Sequence, residues 1–259
     1  MNFKMKTLAV AAIAAFAMSA GAANAASNGS AATGSSVIFS AWDANGSYSL
    51  DLGSFLNTFV GADVAVGTNP GSTYNGGTLD IALTGFNLTS GSWNLVASDA
   101  VGRYRLLVSE AGNLPAITNS QVKTGAQDVG SYLGLGAAAS SSTGTIATST
   151  DPWYANSNTW GDNLGGTFAA GTSTDLSQVA NLYSVWQTSQ TAGQSGAAAG
   201  FAQLHNAAGD FYTAKVIGTG ANAVLEISAV SAVPEADSWA MLLAGLGLMG
   251  FIARRRTQA

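Results

Sequence analysis

The chain has no cysteine and a single histidine, His205, among its 259 residues. The first absence excludes disulfide staples, thiolate metal ligands and cysteine nucleophiles together. The second excludes the paired-histidine motif of helix-borne zinc proteases and any site that needs two imidazoles. Charge is scarce as well: 9% of residues are charged, and nine basic residues stand against fourteen acidic ones. With four prolines and 32 glycines, turns fall mostly to Gly and Asn. Solubility then rests on Ser, Thr, Asn and Gly, and stability on burial, for which the chain is long enough without covalent staples.

The few basic residues are unevenly placed. Lys4 and Lys6 precede the Ala-rich apolar run Leu8 to Met18, and Ala23-Asn24-Ala25 supplies a small-x-small site. This is the order of a cleaved signal peptide over residues 1–25, cut between Ala25 and Ala26. At the other end Val233-Pro234-Glu235 leads to an uncharged run, Trp239 to Ala253, closed by Arg254, Arg255 and Arg256. As a helix this run spans only ~22 Å of a ~30 Å hydrocarbon core. The arginine stems can reach toward one interface, and the Trp239 ring suits the other. A buried C-terminal helix would explain the Gly/Leu/Ala content but not three consecutive arginines. The expectation is a transmembrane helix over residues 239–253, with both basic ends in the cytoplasm and the middle of the chain exported. Between the ends, Ser27 to Val233 hold twelve acids and four bases, a net charge of about −8. That balance argues against nucleic acid and anionic lipid as partners.

Pro234 and Glu235, the run beginning Trp239-Ala240-Met241-Leu242-Leu243, and the Arg254–Arg256 cluster together resemble the PEP-CTERM sorting signal. One position departs from it: Ala236 stands where the motif has its second proline. The resemblance implies an exported protein of a Gram-negative bacterium, recognised by exosortase, a membrane-embedded cysteine transpeptidase that acts near the Pro-Glu-Pro motif. It implies transient anchoring in the inner membrane, followed by release to the cell surface or extracellular matrix. Exopolysaccharide or biofilm is the implied setting. The resemblance covers residues 233–259 and does not speak for the exported domain.

Residues 26–36 read as a flexible leader and residues 37–232 as a mainly-β extracellular domain. Strands are expected at Val37 to Asp43 and Tyr48 to Leu52, around the turn Ala44-Asn45-Gly46-Ser47. Further strands are expected at Thr78 to Thr84, Ser92 to Ser98, Gly102 to Ser109, from Asn181 to Gln187, and over 201–205, 211–217 and 223–230. Arg103 and Arg105 are expected on the solvent face of their strand. Ser54 to Val60 suggests a short helix, and Asn119 to Leu133 a longer one ended by Gly134. Ala137 to Thr150, small and polar throughout, reads as loop or linker. Short strands between Gly/Asn turns, with one or two short helices, point to an antiparallel β-sandwich-like domain.

Chemistry-bearing patterns are sparse. No G-x-S-x-G elbow surrounds any serine, and His205 reads as a residue flanking a turn. Asp43-x-Asn45-x-Ser47 opens like a calcium loop, but Tyr48 replaces the required Gly and Ser54 the closing Glu, which leaves a hairpin turn. Two carboxylates would suffice for a glycoside hydrolase, but the acids mostly sit beside Gly, Asn or Ser in turn contexts. Trp153, Tyr154 and Trp160, interspersed with Asn and Asp, offer the apolar platforms and hydroxyl partners of a sugar-binding surface. The preferred reading is plainer: Trp153 and Trp160 pin a long loop to the sheet. The expectation is a non-enzymatic surface or matrix protein without a cofactor or metal. A carbohydrate-binding module is the alternative and a glycoside hydrolase the third reading.

Overall fold

A computed structural model describes residues 35–61, 70–99, 103–134, 144–148, 151, 174–191 and 195–230. The signal peptide, all but the last two residues of the leader, and the C-terminal segment lie outside them. The described strands are β1 (Ser36–Trp42), β2 (Gly46–Phe55), β3 (Leu79–Ala82), β4 (Ser92–Asp99), β5 (Arg105–Glu110), β6 (Thr145–Thr148), β7 (Thr174–Asp175), β8 (Ala180–Trp186), β9 (Gly200–Gln203), β10 (Phe211–Ile217) and β11 (Val224–Val230). Two helices, α1 (Leu56–Val60) and α2 (Asn119–Gly134), and one 3₁₀ turn (Gly220–Asn222) complete them. All eleven strands join one sheet through antiparallel pairs, in the order β3-β11-β10-β8-β5-β4-β1-β2-β6, with β7 on β4 and β9 on β8.

Alternation along the strands divides the core in two. Phe39, Tyr48, Leu50, Trp93, Leu95, Leu107, Leu182, Tyr212, Leu225 and Ile227 bury one face in a single cluster. The cluster draws on both ends of the strand order, so the sheet curls around it. Phe86, just past β3, meets the Tyr48 ring edge-on at 5.2 Å and lies 6.5 Å from Phe39. The Tyr48 hydroxyl donates to the Thr84 carbonyl at 3.2 Å, which ties β2 to the chain leaving β3. The mainly-β, antiparallel, sandwich-like expectation therefore holds, with the facing layers supplied by one curled sheet.

The outer face of β1, β4, β5 and β8 is covered by α2. Val122, Ala126, Val129, Tyr132 and Leu133 recur at helical spacing and pack on Ile38, Val96, Leu106, Val108 and Val185. The helix starts at a capping box that sequence reading passed over. The Gln121 amide donates to the Thr118 hydroxyl at 3.3 Å, and the Thr118 amide donates to Gln121 Oε1 at 2.9 Å.

Two sequence expectations are corrected. Arg105 does not face solvent but is fully buried, on the inner side with Leu107, and Arg103 is buried too. The Arg105 guanidinium pairs with Asp99 at 3.1 Å and donates to Gly61 O at 3.0 Å and to Asn57 Oδ1. It therefore fastens the end of α1 to the β4–β5 corner. The segment Ala137 to Thr150 is not loop throughout, because β6 pairs Thr145 with Ser49 and Thr148 with Gly46. Gly46 makes this approach possible: a Cβ there would stand 2.7 Å from the Ala147 carbonyl oxygen.

Candidate functional site

The residues that carry the sorting resemblance, Pro234, Glu235, Trp239, Arg254, Arg255 and Arg256, lie outside the described residues, as do Trp153, Tyr154 and Trp160. What the structure does fix is where these segments join the sheet. The aromatic segment falls between β6 and β7, which attach to β2 and β4, the two neighbours of β1. The sorting segment comes after β11, whose last residue is Val230.

The weaker candidates resolve into structural roles. Asp43 Oδ1 accepts from the Asn45 amide at 2.7 Å and the Gly46 amide at 3.0 Å, so its carboxylate closes the β1–β2 turn. His205 bridges Thr73 and Phe211 through its backbone. Its Nδ1 lies 3.2 Å from the Gln203 carbonyl and 3.5 Å from the Ser72 hydroxyl. An Nδ1–H given to Gln203 leaves that nitrogen no lone pair with which to activate Ser72. Among the described residues, no three acidic or histidine side chains cluster as a metal site would require.

A polar row that the sequence does not announce crosses the outer face. Ser49, Ser40 and Asn94 are successive cross-strand partners on β2, β1 and β4. Glu110, Asn181, Thr213 and Ser228 continue in the same way over β5, β8, β10 and β11. The row breaks between Asn94 and Glu110, where the edge of β4 divides: β5 takes Val96 to Asp99 and β7 takes Ser92 and Trp93. At the break the Leu95 amide donates to the Ser109 hydroxyl at 2.8 Å.

The row's two halves differ in how they are satisfied. The Tyr132 hydroxyl of α2 lies 2.7 Å from Ser49 Oγ, which lies 3.3 Å from Ser40 Oγ. Burial raises the Tyr132 phenol to about 12, against the opposing pull of these hydroxyls. Asn181 Nδ2 and the Tyr183 hydroxyl both donate to the Gly112 carbonyl at 2.8 Å. Between these two halves, both polar atoms of the fully buried Asn94 and Oε2 of Glu110 have no hydrogen-bond partner among the described residues. Burial pushes the Glu110 carboxyl up to about 7. Desolvation is the cause, and among the described residues no like-charged neighbour adds to it as in a coupled carboxylate pair. A separate cavity of about 160 Å³ lies between Phe86, Leu88, Leu176 and Val216, smaller than the usual small-molecule pocket.

Residues 232–256 match the PEP-CTERM protein-sorting motif. The chain thus carries a C-terminal sorting signal in the position the sequence indicated. The motif implies export and recognition by an exosortase-type membrane enzyme. No curated protein and no solved structure matches the chain.

Proposed function

We propose that this chain is a non-enzymatic surface or extracellular-matrix protein of a Gram-negative bacterium, whose β domain is delivered by exosortase-type sorting and associates with exopolysaccharide or biofilm material. The observation that carries the reading is the motif at residues 232–256, placed directly after a folded β domain. In this reading the apolar run Trp239 to Ala253 holds the precursor in the inner membrane until the enzyme acts near Pro234 and Glu235. The polysaccharide partner is neutral or cationic, because the domain's own charge is negative.

Pro234→Ala combined with Glu235→Ala is expected to leave insertion intact and block cleavage, so a full-length, membrane-bound form accumulates. Pulse-labelling with membrane fractionation reads this directly, and normal maturation of the double variant would sink the sorting part of the proposal. Co-extraction of the mature chain with surface polysaccharide tests the remainder.

The second reading is a carbohydrate-binding module built on Trp153, Tyr154 and Trp160. It is favoured by the sequence, which intersperses these aromatics with Asn156, Asn158, Asp162 and Asn163, groups that pair with sugar hydroxyls. A glycan array separates the two, since only the module reading requires saturable binding to a defined saccharide.

A further inference from the structure

Helix α2 leaves one part of the outer face bare. On β10 and β11 the outward side chains form a ladder of cross-strand pairs: Ile217 with Val224, Lys215 with Glu226, Thr213 with Ser228, and Phe211 with Val230. The middle of the ladder is polar and internally neutral, with Lys215 Nζ 3.0 Å from Glu226 Oε1. Its last pair is apolar and open: Phe211 is 42% exposed and Val230 52%. Phe201 on neighbouring β9, 47% exposed, lies on the same face with its ring 6.4 Å from Tyr183. Scattered apolar residues on a surface need no explanation, but Phe211 and Val230 are cross-strand partners at the last described residue of β11.

The sorting segment starts almost at once from that point. The matched motif begins at residue 232, two residues past Val230, and the apolar run begins at Trp239. The eight intervening residues span at most ~28 Å when fully extended. Whatever surface the run inserts into is thereby held close to Phe211 and Val230, and a tether this short turns a weak contact into an effectively intramolecular one.

We propose that the Phe211–Val230 end of this face rests on the lipid interface of the membrane while the chain is anchored. The inference rests on the sorting reading above. The lipid it suits has zwitterionic headgroups: Lys215 is engaged by Glu226, and the domain's negative charge opposes an anionic surface. The patch is small, so it holds only while the tether does. Cleavage near Pro234 removes the tether and releases the domain without any further change in the fold.

The lack of cysteine allows a clean test. A single cysteine at Ser228→Cys, labelled with an environment-sensitive fluorophore, reports from beside Val230. One at Asn45→Cys reports from the β1–β2 turn, at the opposite end of the strands by register. Full-length chain is reconstituted with phosphatidylcholine vesicles bearing brominated acyl chains. The expected result is flotation with the vesicles, quenching at position 228 but not at 45, and loss of that quenching in a Phe211→Ser/Val230→Ser background that still floats. Failure to float would overturn the sorting reading and this inference with it. Flotation with equal quenching at both positions, or quenching at 228 that survives the double substitution, would overturn the patch alone. Dimerisation through position 228 without vesicles would assign the patch to a second copy and overturn the lipid assignment.

Discussion

Glu110, at the end of β5, carries a carboxyl that burial pushes up to about 7. A carboxyl raised to about 7 is protonated in the folded protein at pH values where the unfolded chain, near its ordinary 4.5, has already ionised. Between those values folding retains a proton that unfolding releases. The stabilisation is therefore intact below about pH 4.5, declines as pH rises, and is gone above about 7. A shift of this size corresponds to roughly 3 kcal/mol of stability lost across the window. Glu110→Gln keeps the shape and removes the ionisation. It is expected to flatten the fall in stability between pH 5 and pH 8, measured by urea unfolding at each pH, whatever its effect at one pH. An unchanged slope would mean that Glu110 is hydrated in the folded state. None of this was legible in the sequence, where Glu110 closes an ordinary strand. Its cross-strand partner Asn181 arrives from far along the chain, and no local pattern records that.

At the scale of elements, what sequence revealed depended on where each element finds its partners. The β1–β2 hairpin was legible because Asp43, Asn45 and Gly46 close it locally, and α2 because its apolar stripe repeats at 3.6 residues. Strand β6 was not, because its pairing with β2 is long-range and its Thr and Ala content resembles a linker. Arg105 was misjudged for a related reason: alternation gives the side of the strand but not whether α1 will cover it. The dependence of β6 on Gly46 gives a specific expectation. In Gly46→Ala the new methyl meets the Ala147 carbonyl, and relieving that overlap costs ~1–3 kcal/mol if the strand stays. The cheaper response is for β6 to detach, since it is short and lies at the end of the strand order. Hydrogen exchange should then show lost protection at Thr145 to Thr148, with β1 and β4 still protected. Retained protection at β6 would show that the β1–β2 turn can shift instead.

Charge is segregated over the whole molecule in a way that suits one orientation at a membrane. Five of the nine basic residues lie at the two ends, as Lys4, Lys6 and Arg254 to Arg256. The other four are occupied within the fold: Arg103 and Arg105 are buried, Lys215 is ion-paired, and Lys123 stands 5.8 Å from the centre of the Tyr104 ring. The domain accordingly presents an acidic exterior between two basic ends. Arginine is costly to move through a bilayer, about 2.5–3.5 kcal/mol each at its centre, so in the proposed sorting reading three together hold the C-terminus on the cytoplasmic side. Replacing Arg254, Arg255 and Arg256 with Ser removes that hold while leaving the apolar run and the Pro234-Glu235 pair unchanged. The triple variant is expected to slip across the membrane and escape processing. In spheroplasts, a C-terminal epitope should become accessible to external protease, whereas the wild-type epitope stays protected. Wild-type protection and maturation in the variant would show that the apolar run alone fixes the orientation, and the charge argument would fail for this end of the chain.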